Sequence, residues 1–122
     1  MARTILTVDD SPSVRVMVAM TLREAGYEVI EASDGREGLE KALAGKIDAI
    51  LTDQNMPNMD GLSFIREYRK SPVSNGTPII FLSTDSADDL KRQAREAGAL
   101  GWMVKPFTQA QLLAVIKKVL GA

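Results

Sequence analysis

Five short apolar runs alternate with five stretches of helical periodicity along this chain, and this alternation constrains the fold more than any other feature. Apolar runs bounded by turn residues are typical of buried strands, whereas apolar residues three or four positions apart indicate amphipathic helices. Strict alternation implies right-handed crossovers, a parallel sheet and helices on both of its faces. The 122 residues therefore predict one α/β domain of (βα)5 organisation spanning 1–122, with strands at 5–8, 27–32, 49–52, 79–82 and 102–104.

Capping and terminating residues support the predicted helices. Ser11 followed by Pro12 is typical of a helix start, because a serine cap and a first-turn proline both suit that position. Segment 108–111 matches the capping box that opens a last helix. A fourth helix is predicted to start near Asp85 and to end at Gly98.

Charge and two missing residue types limit the available chemistry. Fifteen Lys and Arg against sixteen Asp and Glu give a net charge of -1, without a basic tract that could neutralise several nucleic-acid phosphates. The absence of Cys excludes thiolate sites, and the absence of His excludes imidazole ligands and a phosphohistidine within this chain. No apolar stretch reaches the length of a secretory or membrane segment, so we expect a cytoplasmic protein without membrane or direct nucleic-acid contact.

Polar residues follow four of the predicted strands at the point where each strand ends. In an open parallel sheet the carboxyl ends line one edge, where ligands bind. Carboxylates brought together there repel one another unless cations intervene, and Mg²⁺ is a cation that carboxylate oxygens hold well. The sequence therefore predicts a divalent-metal and phosphoryl site formed by Asp9, Asp10, Asp53, Ser83, Thr84 and Lys105.

Four motifs in this order resemble the receiver domains of two-component response regulators. They are the Asp9-Asp10 pair, segment 53–61, the hydroxyl of Ser83 and segment 105–107. The resemblance covers the whole chain and implies a flavodoxin-like doubly wound fold with strand order 2-1-3-4-5. Segment 55–61 resembles, more narrowly, that of the stand-alone receivers of chemotaxis, which likewise have no output domain.

The resemblance implies a metal site. Asp10 and Asp53 match direct ligands of Mg²⁺ (or Mn²⁺), Asp9 matches a ligand that acts largely through water, and Asn55 matches the donor of a backbone carbonyl. The side chain of Asn55 is then expected to contribute little to the metal.

The resemblance also implies catalytic and switching residues. Asp53 matches the phosphoacceptor, Lys105 and Ser83 match groups that contact the phosphoryl oxygens, and the bond from Lys105 to Pro106 is cis in the family. Trp102 matches the switch aromatic, where the family usually has Tyr or Phe.

Three positions match sites that tune hydrolysis or depart from the family pattern. Asn55 and Asp85 match positions that tune hydrolysis of the acyl phosphate. Gln54 stands where the chemotaxis receivers carry Trp.

Each assignment also has a structural alternative. The acids could cap helices or form turns, the hydroxyls could cap the fourth helix, Lys105 could be solvated, and Trp102 could be a half-exposed aromatic that packs on the fourth helix. Asp60 and Gly61 are predicted to be a helix cap and a tight turn. The charged residues of the fourth helix indicate first a solvated face, namely Asp88, Asp89, Lys91, Arg92, Arg95 and Glu96.

The function expected from the resemblance is signalling rather than enzymatic catalysis, apart from the chain's own phosphorylation and dephosphorylation. A chemotaxis-type histidine kinase would donate the phosphoryl group, and the phosphorylated monomer would bind a flagellar motor switch protein through the fourth helix, fifth strand and fifth helix. A phosphatase is a further possible partner. The alternatives are a phosphate sink or phosphorelay intermediate, a pseudo-receiver that never turns over, and an aspartate-nucleophile phosphatase, whose Asp-x-Asp pattern and cap domain the chain lacks.

Overall fold

A computed structural model describes residues 2–84 and 88–121, which form a five-stranded parallel sheet with helices on both faces. The strand order β2-β1-β3-β4-β5 and the parallel pairing of every neighbouring pair confirm the predicted fold. In chain order the elements are β1 (Thr4–Val8), α1 (Pro12–Glu24), β2 (Glu28–Ala32), α2 (Gly35–Ala44), β3 (Ala49–Asp53), α3 (Gly61–Arg69), a 3-10 turn (Pro72–Ser74), β4 (Ile79–Ser83), α4 (Asp88–Ala97), β5 (Gly101–Val104) and α5 (Gln109–Leu120).

The apolar runs are continuous because the central strands are buried on both faces. In β4, Ile79 and Phe81 face the core beneath α2, α3 and α4, whereas Ile80 and Leu82 face the core beneath α1 and α5. The side chains of a strand alternate between faces, so consecutive apolar residues serve two separate cores. No helix in the described part of the chain is long and apolar enough to cross a membrane.

The helix ends agree largely with the capping signals. The Ser11 hydroxyl caps α1, and the box at 108–111 caps α5 through two hydrogen bonds of 2.8 and 3.0 Å. The second strand starts at Glu28 rather than at the predicted Tyr27, because the Tyr27 amide still bonds the Leu22 carbonyl at the end of α1, at 3.1 Å. The predicted start of α4 lies outside the described residues.

Strand register brings the functional side chains to one edge of the sheet. Asp53 pairs with Leu82, so the ends of β3 and β4 coincide within a residue. The ladder continues past two strand ends, where the amide of Asp9 bonds the Ala32 carbonyl at 3.0 Å and the amide of Lys105 bonds the Ser83 carbonyl at 2.9 Å. The first residues after β1 and β5 are therefore held in the ladder by backbone hydrogen bonds.

A half-buried arginine connects backbone segments at the opposite, amino edge of the sheet. Arg69, at the end of α3, donates to the carbonyl oxygens of Ser74 and Thr77, both at 2.6 Å, and to that of Gly98 at 2.9 and 3.2 Å. Burial lowers the pKa of this guanidinium below its ordinary value. We call Arg69 and these three carbonyls the Arg69 cluster.

Candidate functional site

Three carboxylates converge at the carboxyl edge, as the sequence predicts. Asp9, Asp10 and Asp53 each offer an oxygen, and these oxygens lie within 4.8 Å of one another. Asp9 and Asp53 are buried, at 1% and 8% exposure, whereas Asp10 is exposed. A set of oxygen donors with one open side suits Mg²⁺, which prefers a few carboxylates and keeps several waters.

Lys105 lies between the two buried acids. Its ammonium nitrogen is 2.8 Å from Asp9 Oδ2 and 3.4 Å from Asp53 Oδ2, and only 13% of its side chain is exposed. The bond from Lys105 to Pro106 is cis, as expected. The alternative of a solvated lysine is therefore wrong, and Lys105 supplies a positive charge inside the acidic cluster.

The electrostatics of the site centre on Asp53. Burial raises the pKa of this carboxyl above its ordinary value, and the negative charge of Asp9 adds to that rise. The charge of Lys105 and the hydrogen bond from the Gln54 amide act in the opposite direction. The ionised form of Asp53 is thus disfavoured by its surroundings, and an added cation would relieve that cost.

Asp9 is held from three directions. Its Oδ1 accepts from the Ser11 amide at 2.9 Å, and its Oδ2 accepts from Lys105. The guanidinium of Arg15 donates to the Asp9 carbonyl at 2.7 Å, a contact that the sequence pattern did not indicate. Asp9 therefore takes part in the entry to α1, but Ser11 is the N-cap residue.

The segment after Asp53 connects the phosphoacceptor candidate to α3. Asp53 Oδ1 accepts from the Gln54 amide at 2.9 Å, and the Asp60 side chain caps α3 through the Ser63 amide at 2.8 Å, as predicted. Gly61 is the first residue of α3 rather than a tight turn. A Cβ on Gly61 would overlap the Asp53 carbonyl oxygen, so glycine allows the helix to approach the strand.

The remaining candidates lie at different depths. Ser83 is buried at the end of β4, beside the strand that carries Asp53, whereas Thr84 is exposed. Asn55 is exposed in the loop before α3. Asp85 lies outside the described residues.

Trp102 is half-buried and packs inward on the sheet. Its ring stacks on Phe81 with centroids 5.1 Å apart, and the Lys91 ammonium of α4 lies 5.7 Å from its centroid. Its indole nitrogen is buried and has no hydrogen-bond partner among the described residues. The indole therefore fits against α4, which agrees with the packing alternative and leaves the switch role a prediction.

The exposed face predicted for α4 is largely present. Five of its six charged positions are exposed, and Lys91 is half-buried over the indole. Asp89 and Arg92 pair with each other on this face.

Comparisons with known proteins place the chain in a family. The response regulator receiver domain family matches residues 5–117, so the chain belongs to that family. The chemotaxis response regulator CheY4 of Vibrio cholerae has a similar structure, with a TM-score of 0.94 and 43% identity over 98% of this chain and 99% of that one. The chain is therefore a CheY-like receiver domain of two-component signalling, a signalling module rather than a classical enzyme.

Two further relatives differ in their context. The receiver domain of the sensor histidine kinase PA1611 from Pseudomonas aeruginosa, solved with a magnesium ion coordinated in its active site cleft, is 30% identical with a TM-score of 0.92 and full coverage of both chains. The transcriptional regulatory protein PdtaR of Mycobacterium tuberculosis is 37% identical over 94% of this chain and 55% of its own length. The chain thus spans about half the length of the curated relatives it matches.

Proposed function

We propose that this receiver accepts a phosphoryl group from a histidine kinase on Asp53, with Mg²⁺, or Mn²⁺ in its place, as the cofactor. Asp9, Asp10, Asp53 and the backbone carbonyl of Asn55 would hold the ion. The observation that carries the proposal is the pairing of one largely buried lysine with two buried carboxylates beside an exposed third. Such a cluster holds excess negative charge in a partly dry site, which suits a bound divalent cation and an incoming phosphoryl group. The magnesium ion in the cleft of the PA1611 receiver supports the choice of metal.

Asp53 would act as the nucleophile. One of its oxygens attacks the phosphorus of a phosphohistidine, and the bond from phosphorus to nitrogen breaks as the new oxygen bond forms. The electron pair of the broken bond leaves with the imidazole of the kinase. The metal, when bound, neutralises negative charge on the acids and on the transferred oxygens.

Lys105 and Ser83 would stabilise the transferred group. Lys105 already lies 3.4 Å from Asp53 Oδ2, so a small movement brings its ammonium to a phosphoryl oxygen. Ser83 lies at the end of the adjacent strand, and its hydroxyl can donate a hydrogen bond to another phosphoryl oxygen. The exposed Asn55, together with Asp85, would tune hydrolysis of the acyl phosphate.

The output would be a population shift at the surface formed by α4, β5 and α5. Ser83 and Phe81 are two positions apart on β4 and so share one face of the sheet, and Phe81 stacks on Trp102 of β5. Movement of Ser83 towards a phosphoryl group would change the packing that holds the indole beneath α4, and a partner that prefers the new arrangement would bind more tightly.

The biological setting divides into two candidates. Similarity to the chemotaxis protein CheY4 over 98% of the chain supports control of a flagellar motor switch by a chemotaxis-type kinase. End-to-end similarity to the receiver of a sensor histidine kinase supports a phosphorelay or phosphate-sink role instead. Tight binding of the phosphorylated chain to a motor switch protein would favour the first candidate, and rapid transfer of the group to a phosphotransfer histidine would favour the second.

Incubation with Mg²⁺ and acetyl phosphate tests the central step. Intact mass should show one labile phosphoryl adduct, which should be absent without a divalent cation and absent in Asp53→Asn. Undiminished labelling of Asp53→Asn would contradict the assignment.

The single tryptophan offers a test of the output. Beryllofluoride, a stable phosphoryl mimic, should change Trp102 emission, whereas Mg²⁺ alone should change it little. A spectrum unaffected by either would remove Trp102 from the switch.

A further inference from the structure

Gln54 joins the end of β3 to the start of α3 through three hydrogen bonds. Its amide donates to Asp53 Oδ1 at 2.9 Å, and its carbonyl accepts from the Gly61 amide at 3.0 Å. Its side-chain oxygen accepts from the Leu62 amide, also at 2.9 Å. The backbone of Gln54 is thus bonded to Asp53 at the end of β3 and to Gly61 at the start of α3.

These bonds leave the two oxygens of Asp53 with different partners. Oδ1 is held by a backbone amide, whereas Oδ2 faces the ammonium at the end of the long Lys105 side chain, at 3.4 Å. A lysine ammonium can follow a rotating carboxylate, but a backbone amide cannot. The plane of the Asp53 carboxylate is therefore set by the position of the Gln54 peptide.

The side chain of Gln54 holds that peptide in place. The amide of Leu62 is one of the first-turn donors of α3, which have no partner within the helix, and Leu62 is 6% exposed. Removal of the Gln54 acceptor would leave this amide unpaired and would free one of the two ties between Gln54 and the helix. A misplacement of an ångström or less at a reacting group is enough to slow a reaction markedly.

We infer that Gln54 is a positioning residue for the phosphoacceptor: its side chain anchors its own peptide to α3 so that its amide orients the Asp53 carboxylate for attack. The inference rests on the proposed function and adds to it a residue that does not touch the transferred group. It predicts a slower attack at saturating Mg²⁺, where a change in Mg²⁺ affinity no longer affects the rate.

The test compares variants with and without an acceptor oxygen in the side chain of residue 54, and it includes a matched control. Gln54→Met keeps the length of the side chain without the acceptor, Gln54→Ala is a second acceptor-free variant, and Gln54→Glu keeps an acceptor oxygen. Asp60→Ala is the control, because Asp60 caps the same end of α3 through the Ser63 amide but makes no bond to Gln54 or Asp53 among the described residues. Thermal unfolding of each variant shows how far the helix end has been weakened.

The readout is the limiting rate of labelling at saturating acetyl phosphate and Mg²⁺, followed by intact mass, with calorimetry used to choose a saturating Mg²⁺ concentration for each variant. Under these conditions the two acceptor-free variants should be slower by roughly three- to tenfold. Gln54→Glu should regain most of the rate, and Asp60→Ala should stay within about twofold of wild type despite a comparable loss of thermal stability.

Three outcomes would overturn the inference alone: acceptor-free variants as fast as wild type, Asp60→Ala as slow as they are, or no recovery in Gln54→Glu. Wild-type protein that takes no label at all would overturn the proposed function, and the inference with it. The two failures are therefore distinguishable in one experiment.

Discussion

Two partly buried cations lie at opposite edges of the same sheet, and they are held by different kinds of partner. Lys105 faces two carboxylates at the carboxyl edge, whereas Arg69 donates to backbone carbonyls at the amino edge and lies over the Tyr68 ring, 5.9 Å from its centroid. A carboxylate carries charge that another cation can compensate, so Lys105 can be displaced or can move to a new anion. Neutral carbonyls in fixed positions match the rigid fork of a guanidinium and little else. The comparison indicates that the cation at the carboxyl edge is exchangeable and serves function, whereas the cation at the amino edge is fixed and serves stability.

Removal of the fixed cation should have the largest effect on stability. Arg69→Ala leaves the carbonyls of Ser74, Thr77 and Gly98 without this donor, so we expect the free energy of unfolding to fall by about 3 kcal/mol or more. Urea unfolding measures the loss, which should be the same with and without Mg²⁺. The exposed Arg66 on the same helix is the control, because its change to Ala should cost less than about 0.5 kcal/mol. A loss that Mg²⁺ reverses would remove the distinction between the two edges.

Removal of the exchangeable cation should cost less and should depend on metal. Lys105→Ala leaves Asp9 and Asp53 facing each other, and we expect a loss of about 1 to 3 kcal/mol in a chelator. Saturating Mg²⁺ should recover much of that loss, and calorimetry should show tighter Mg²⁺ binding than in wild type because a competing cation is gone. Equal losses in chelator and in Mg²⁺ would mean that the lysine is structural, like Arg69.

Neutralisation of Asp53 should stabilise the metal-free protein. The pKa of Asp53 is raised in the folded state, so folding favours its protonated form and its ionisation reduces stability as the pH rises from the ordinary value of 3.8 through the raised value. Asp53→Asn should therefore unfold at a higher urea concentration than wild type at neutral pH in a chelator. The advantage should shrink as the pH falls and should vanish below 3.8, where wild type is protonated in both states. A variant less stable than wild type at neutral pH would contradict the raised pKa.

Asp34, at the same edge, should show the opposite sign and a smaller effect. Hydrogen bonds from the Glu37 amide and from the Asn58 side chain lower its pKa, so its ionised form stabilises the fold above 3.8. Asp34→Ala should cost about 1 kcal/mol at neutral pH, because Asp34 caps α2. That cost should diminish as the pH falls below 3.8 towards the lowered pKa of the folded state, as followed by urea unfolding in acid. A cost that stays constant with pH would assign the effect to the lost side chain rather than to its charge.

The fold class and the acidic cluster could be predicted because both depend on the local pattern of apolar and polar residues. Burial on both faces made most positions of β3 and β4 apolar, and a parallel sheet places the residues at the ends of such strands at one edge. The order of the strands came from the resemblance to receiver domains. It did not follow from periodicity, which records burial and not which strands are neighbours.

The contacts that the sequence did not reveal depend on the path of the folded backbone. Arg69 looks like Arg66 in the sequence, and only the fold brings Gly98 and Thr77 to its guanidinium. In the sequence Gln54 is only a departure from the family, because its bond to the Leu62 amide depends on the path of the intervening loop. The strand start predicted at Tyr27 is one residue too early for a related reason, since hydropathy does not record the hydrogen bonds at the end of α1.

We expect α4 to open locally more easily than α3 and α5, because fewer of its described side chains are buried. Its described residues bury one side chain, Ala94, whereas α3 buries five residues and α5 buries three. Backbone amides exchange with solvent through local openings, whose free energy follows the packing lost when a segment opens. The amide protons of α4 should therefore exchange long before those of α3, through openings that leave the sheet intact. A partner that binds this helix can then reposition it at a small fraction of the free energy of global unfolding.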